Sequence, residues 1–195
     1  MAQQTSVVTP ERFAAGFTYK DYIAQIKVNT DRFEANLKTA HVSPEDTAFF
    51  RKVSKLPNGP TKMLVLGEDW CPDVYRGMPV LHRIAEAGGM EMRIFPRDQH
   101  LDIMNEFLKE GQFLSIPTAV FYTKDHRYIL HWIERPAAVN REMPEIREAV
   151  KREMPDADEQ TIRTVNGERT RAKYPAWQQE TVREIREMLS QKLGL

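Results

Sequence analysis

The residues best placed to do chemistry are Trp70-Cys71-Pro72-Asp73-Val74, because they set the chain's one cysteine between two different patterns. Before them, Met63-Leu64-Val65-Leu66 is an unbroken apolar run of the kind a buried strand shows. After them, Val74, Met78, Leu81 and Ala85 form one helical stripe, with Val80, Ile84 and Ala87 beside it. Pro72 suits the first helical position, where a missing N–H costs nothing. Cys71 therefore stands one residue before a helix, where unpaired amides and the positive end of the helix dipole favour a thiolate. A thiolate attacks a disulfide sulfur in line and leaves a mixed disulfide. Glu68, Asp69 and Asp73 oppose that ionisation, and Asp73 can take the helix amides for itself. Arg76, one turn in, supports it if its side chain folds back. The sign of the net shift is open at this level.

Other chemistries have less to stand on. His41, His82, His100, His126 and His131 show no metal-ligand spacing. His82 lies eleven residues beyond Cys71 on the same helix, about three turns away, too far to act as its base. No Ser-His-Asp arrangement, phosphate loop or dinucleotide fingerprint appears. Neither a metal nor a cofactor is expected.

Several landmarks together resemble the thioredoxin superfamily. Trp70-Cys71-Pro72-Asp73-Val74 lies over the family's Trp-Cys-x-x-Cys motif, with Val74 in place of the second cysteine. Pro79 matches the proline that kinks the family's active-site helix, and Asp98-Gln99 follows a strand as a similar acidic dipeptide does there. Ser115-Ile116-Pro117-Thr118 matches the cis-proline loop. The resemblance spans roughly Thr61 to Arg135 and is similar to a branch with a single-cysteine Trp-Cys-x-Asp motif and extra helices at both ends. It implies a cis bond at Ile116-Pro117, and Ile116 lying against Cys71 with backbone hydrogen bonds to offer an extended substrate. Trp70 and Pro117 would then wall a groove around Cys71, completed by Pro72, Asp73 and Val74. Val74 removes the resolving thiol, and Val65 stands where dithiol members carry a buried aspartate. An outside thiol, small or on a protein, must then resolve any mixed disulfide. A bridged iron–sulfur cluster, as in monothiol glutaredoxins, finds none of those proteins' glycine-rich elements here. The other reading is a redox-inactive binding module that uses the same groove or the added helices.

Composition narrows the partners. With 28 basic and 28 acidic residues the formal charge is zero, which suggests neither nucleic acid nor an acidic membrane. Arg163, Arg169, Arg171 and Lys173 are interleaved with acids and lack stacking aromatics, so they read as solvated surface. No apolar run reaches the ~20 residues of a membrane helix. The amino terminus, Met1-Ala2-Gln3-Gln4-Thr5, carries no signal-peptide pattern. One cysteine excludes an internal disulfide, so a cytoplasmic location is the default expectation.

The elements that must position Cys71 can be read in order. Three helices precede the core: one capped by Thr18 with Asp21, one over Thr30 to Ala40, and one opened by Ser43-Pro44-Glu45-Asp46. Gly88-Gly89 stops the active-site helix, Met90 to Phe95 is a strand, and a helix capped by Asp98 runs to about Lys109. Thr118 to Tyr122 and Tyr128 to Ile133 form a hairpin. The order predicts an α/β, thioredoxin-like three-layer sandwich with a mixed central sheet. The expected organisation is residues 1–60 as a helical extension packed on the core, 61–135 as the core, and 136–195 as a second helical extension. In the latter, Pro144 to Met154 is predicted helical, Asp156 to Lys173 a loop, and Pro175 to Leu193 a helix whose stripe either docks on the core or pairs two subunits.

Overall fold

The computed structural model describes residues 6–195; the reading of Met1 to Thr5 lies outside them. Four helices come first: α1 (Pro10–Ala14), α2 (Tyr19–Gln25), α3 (Thr30–Thr39) and α4 (Pro44–Ser54). Thr18 and Ser43 cap α2 and α4 as their sequence signals predict, each accepting the amide three residues on, Asp21 and Asp46. Phe33 and Phe50 from these helices are fully buried in the main core, and Val53 is fully buried on α4.

The centre is a four-stranded mixed sheet in the order β2-β1-β3-β4. Strand β1 (Lys62–Gly67) pairs in parallel with β2 (Glu91–Pro96), Val65 opposite Ile94. A parallel pair needs a crossover, and α5 (Pro72–Gly88) supplies it. On its other edge β1 pairs antiparallel with β3 (Thr118–Tyr122), which pairs antiparallel with β4 (Tyr128–Ile133). Because β1 is internal to the sheet, Met63 to Leu66 are fully buried, as their unbroken apolar run requires. Gly89 ends α5 in the left-handed region at φ 66°. The protein is thus an α/β fold with a mixed four-stranded sheet, flanking helices, and further helices at both ends.

The structure corrects three expectations. The helix after β2 is α6 (Leu101–Met104), four residues long, preceded by a 3-10 turn at Arg97–Gln99. It stops short of Lys109 because the chain folds back on itself, with Lys109 bridged to Phe113 and both Glu110 and Gly111 at positive φ. Second, α7 (Ala137–Glu153) starts well before Pro144 and carries that proline inside it. No side chain of its own caps α7; the Ala137 amide instead donates to the Glu184 carboxylate at 2.6 Å, a partner distant in sequence.

Third, the segment expected as a loop is helical, since α8 (Glu159–Leu193) runs 35 residues through Pro175. Asp158 caps it, accepting the Thr161 amide. Its first half has no apolar stripe. Ion pairs to α7 accompany it instead, Arg169 with Glu153 at 2.5 Å and Lys173 with Glu142 at 3.1 Å. Its second half buries Val182, Ile185 and Leu189 in the main core, so the predicted stripe docks within the chain. No helix among the described residues is long and apolar enough to cross a membrane.

Candidate functional site

Cys71 is the residue before the first turn of α5, extended at φ −83° and ψ 124°, and its carbonyl accepts the Val74 and Tyr75 amides at 3.1 Å each. Its side chain caps nothing. The thiol faces Ile116 instead, Sγ lying 3.8 Å from the Ile116 carbonyl oxygen. The Ile116-Pro117 bond is cis. This loop is pinned on both sides: the Thr118 hydroxyl donates to the Ser115 carbonyl at 2.8 Å, and the Glu134 amide to the Pro117 carbonyl at 2.6 Å. The helix approaches it closely at Gly77, where a Cβ would stand 3.2 Å from Pro117 Cγ. A Cβ there would require the Pro117 ring or the helix to give by a few tenths of an ångström.

The site residues named from the sequence are distributed unevenly. Cys71, Ile116 and Pro117 are brought together, and Val74 is fully buried on the first turn of α5. Trp70 projects outward, 51% exposed, and Pro72 is exposed beside it. Cys71 itself keeps 9% of its surface, an edge rather than a face. The sign left open by the sequence is upward: burial pushes the Cys71 thiol up, outweighing the Val74 amide and the Arg76 and Arg97 guanidiniums that pull it down, with Glu134 adding to the rise.

The three acids near the thiol each have other work. Glu68 accepts the Asp98 amide at 2.8 Å, and burial pushes its carboxyl above the usual range. Asp69 accepts the Lys27 and Val28 amides at 2.8 and 3.2 Å, fixing the turn between α2 and α3. Asp73 takes no helix amide; it pairs with Arg76 and, at 2.9 Å, with Arg135. Arg76 adds the positive charge that favours the thiolate, but burial of the thiol outweighs it. Arg76 is itself buried, its guanidinium 5.2 Å from the Tyr174 ring and 5.4 Å from the Trp177 ring of α8.

Arg97 is a further organising residue. Its guanidinium lies 5.2 Å from the Trp70 ring centre, donates twice to Asp98 and once to the Leu114 carbonyl at 3.0 Å. It thereby ties the end of β2 to the motif tryptophan and to the loop leading into Pro117. Arg97 and Asp98 form an ion pair at this rim, and the stack on Trp70 has no local signal in the sequence. Arg135 and Glu134 were missed because they follow β4 and reach the site only through the fold. Phe113 and Leu114 are exposed near the same loop. His82 stacks on Tyr19 at 4.1 Å, away from any proton transfer at Cys71. Among the described residues no group of His, Cys, Asp and Glu is arranged to hold a metal ion.

A mixed sheet, a thiol at the start of its crossover helix and a cis-proline loop against that thiol define a thioredoxin-fold protein. The chain belongs to the Thioredoxin family, whose model matches residues 16–151, from before α2 to within α7. No curated protein matches it. Two solved structures share the fold. One is a protein of unknown function, PA1234 from Pseudomonas aeruginosa, at 16% identity and a TM-score of 0.62, covering 91% of this chain and 94% of that one. The other is an HIV epitope-scaffold at 16% identity and a TM-score of 0.61, covering 95% of this chain and 98% of its own.

Proposed function

We propose that the protein is a monothiol thiol–disulfide oxidoreductase of a reducing, cytoplasmic compartment. The observation that carries this reading is Cys71 Sγ set 3.8 Å from the Ile116 carbonyl, with Val74 where a second thiol would stand. Cys71 gives its proton to solvent, and the thiolate attacks one sulfur of a substrate disulfide. The substrate S–S bond breaks, a Cys71–substrate S–S bond forms, and the departing thiolate takes up a proton. A second, external thiol then attacks the mixed disulfide and releases Cys71 reduced; the external thiol leaves as a disulfide with the captured group. Each turnover thus consumes one external thiol: one half of the substrate disulfide leaves as a free thiol and the captured half leaves as a disulfide with the external thiol, which is glutathione disulfide where both the captured group and the external thiol are glutathione. Trp70, Pro72 and Pro117 border the approach, and Ile116 offers backbone atoms to the incoming chain. No cofactor takes part.

One observation favours a second reading, a redox-inactive binding module. Burial pushes the Cys71 thiol up, while Trp70 beside it and Phe113 and Leu114, just before the cis-proline loop, stand exposed. Intact mass after incubation with glutathione disulfide separates the two. The oxidoreductase gains one glutathionyl group at Cys71 and loses it to excess glutathione, and Cys71→Ser gains none. A folded wild-type chain that stays unmodified even at about pH 9, beyond an ordinary thiol's midpoint, leaves the binding module.

A further inference from the structure

A cleft of about 410 Å³ opens between α3, the first turn of α5 and the middle of α8. Its volume falls in the range of roughly 300–1,000 Å³ found for small-molecule sites. None of Trp70, Cys71, Ile116 and Pro117 lines it, so it is a site separate from the thiol.

Two kinds of wall meet there. Tyr75, Tyr174 and Pro175 provide flat apolar surface, and Arg32 and Arg171 provide guanidiniums. Arg32 is held in place by donating Nη1 to the Tyr75 hydroxyl at 2.8 Å while lying 5.2 Å from that ring's centre. Among the described residues its other nitrogens have no partner. Arg171 likewise has no ion-pair partner among the described residues. Its neighbours on α8 do: Arg169 bonds Glu153 and Lys173 bonds Glu142. Two arginines without an ion pair border the same aromatic-walled cleft, and that convergence of guanidiniums on one concave surface suits an anion. Asp31 also borders the cleft, which leaves two positive groups and one negative, a match for one negative charge rather than two.

We propose that this cleft binds a small aromatic carboxylate, its carboxylate taken by Arg32 and Arg171 and its ring resting on Tyr75, Tyr174 and Pro175. Charge alone would accept inorganic anions and apolar walls alone would accept neutral aromatics. Together they select a molecule carrying both features.

The test is an NMR titration of the full chain with benzoate, phenyl phosphate and benzyl alcohol. Benzoate is expected to bind at one site in the millimolar range, with shifts confined to α3, the start of α5 and the middle of α8; benzyl alcohol is expected not to saturate. Arg32→Gln and Arg171→Gln are each expected to weaken benzoate about tenfold, the loss of a charge-assisted hydrogen bond. Both arginines are exposed, so both variants should stay folded, Arg171→Gln with the wild-type melting temperature and Arg32→Gln with a small drop from the lost contact with Tyr75. Absence of saturable benzoate binding, or binding unchanged in both variants, overturns the proposal. Tighter binding of phenyl phosphate than of benzoate overturns the assignment to a carboxylate.

Discussion

The Arg97 guanidinium stacks on the ring of Trp70, 5.2 Å from its centre, one residue from the chain's one thiol. The same guanidinium holds Asp98 and the Leu114 carbonyl, so one side chain joins the motif tryptophan, the end of β2 and the cis-proline loop. Arg97→Ala is expected to free the indole and remove a positive charge that favours the thiolate. Its pH midpoint for Cys71 alkylation should move up, and stability should fall by about 1 kcal/mol, the worth of a half-exposed cation–π contact. Iodoacetamide kinetics and tryptophan fluorescence check both.

The direction of the Cys71 shift fixes a pH dependence. Burial raises the thiol in the folded chain, so the unfolded chain loses that proton first. The folded state binds more protons, and stability must fall as pH rises. The contribution is intact below about 8.5, where an unfolded cysteine titrates, and is lost above it. Urea unfolding between neutral pH and about pH 10 should therefore show a steeper fall for wild type than for Cys71→Ser. Equal slopes would show that the thiol is not held back by burial.

Val74 occupies the first turn of α5, three residues beyond Cys71, without exposed surface. Val74→Cys is expected to form an internal disulfide under mild oxidant, at a packing cost of about 1 kcal/mol in the reduced state. Intact mass with and without alkylation reports it. A variant that stays a dithiol would contradict the match of this turn to a two-cysteine motif.

Arg76 is buried against Tyr174 and Trp177 and paired with Asp73. Arg76→Ala leaves that carboxylate with Arg135 alone and removes the cation between two rings. A loss of about 3 kcal/mol is expected from urea unfolding, since the partner of a broken buried pair stays desolvated. Arg135→Gln, at a more exposed guanidinium, should cost well under that.

What could be read from the chain follows from what holds each element. Strand β1, helix α5 and the β3–β4 hairpin are built by apolar residues at the period of their own backbone, so their pattern is local and visible. Cys71 and Pro117 were found because the motif and the loop each carry a compact signature, and the structure brings them together at Ile116. The first half of α8 escapes a pattern search because it carries no apolar stripe, and its half-exposed pairs to α7, Arg169–Glu153 and Lys173–Glu142, leave no periodic trace. The fate of Asp73 was missed for the same reason. Its partner Arg135 lies 62 positions along, and nothing nearby announces it.

Glu184 gives one oxygen to the Trp132 indole at 3.1 Å and the other to the Ala137 amide at 2.6 Å. A nascent chain that has left the ribosome only as far as α7 has therefore made the last strand of its sheet without a partner for that indole, and a helix whose opening amide is still bare. Completion of the sandwich waits on α8, so that helix closes a structure that the earlier residues can only begin.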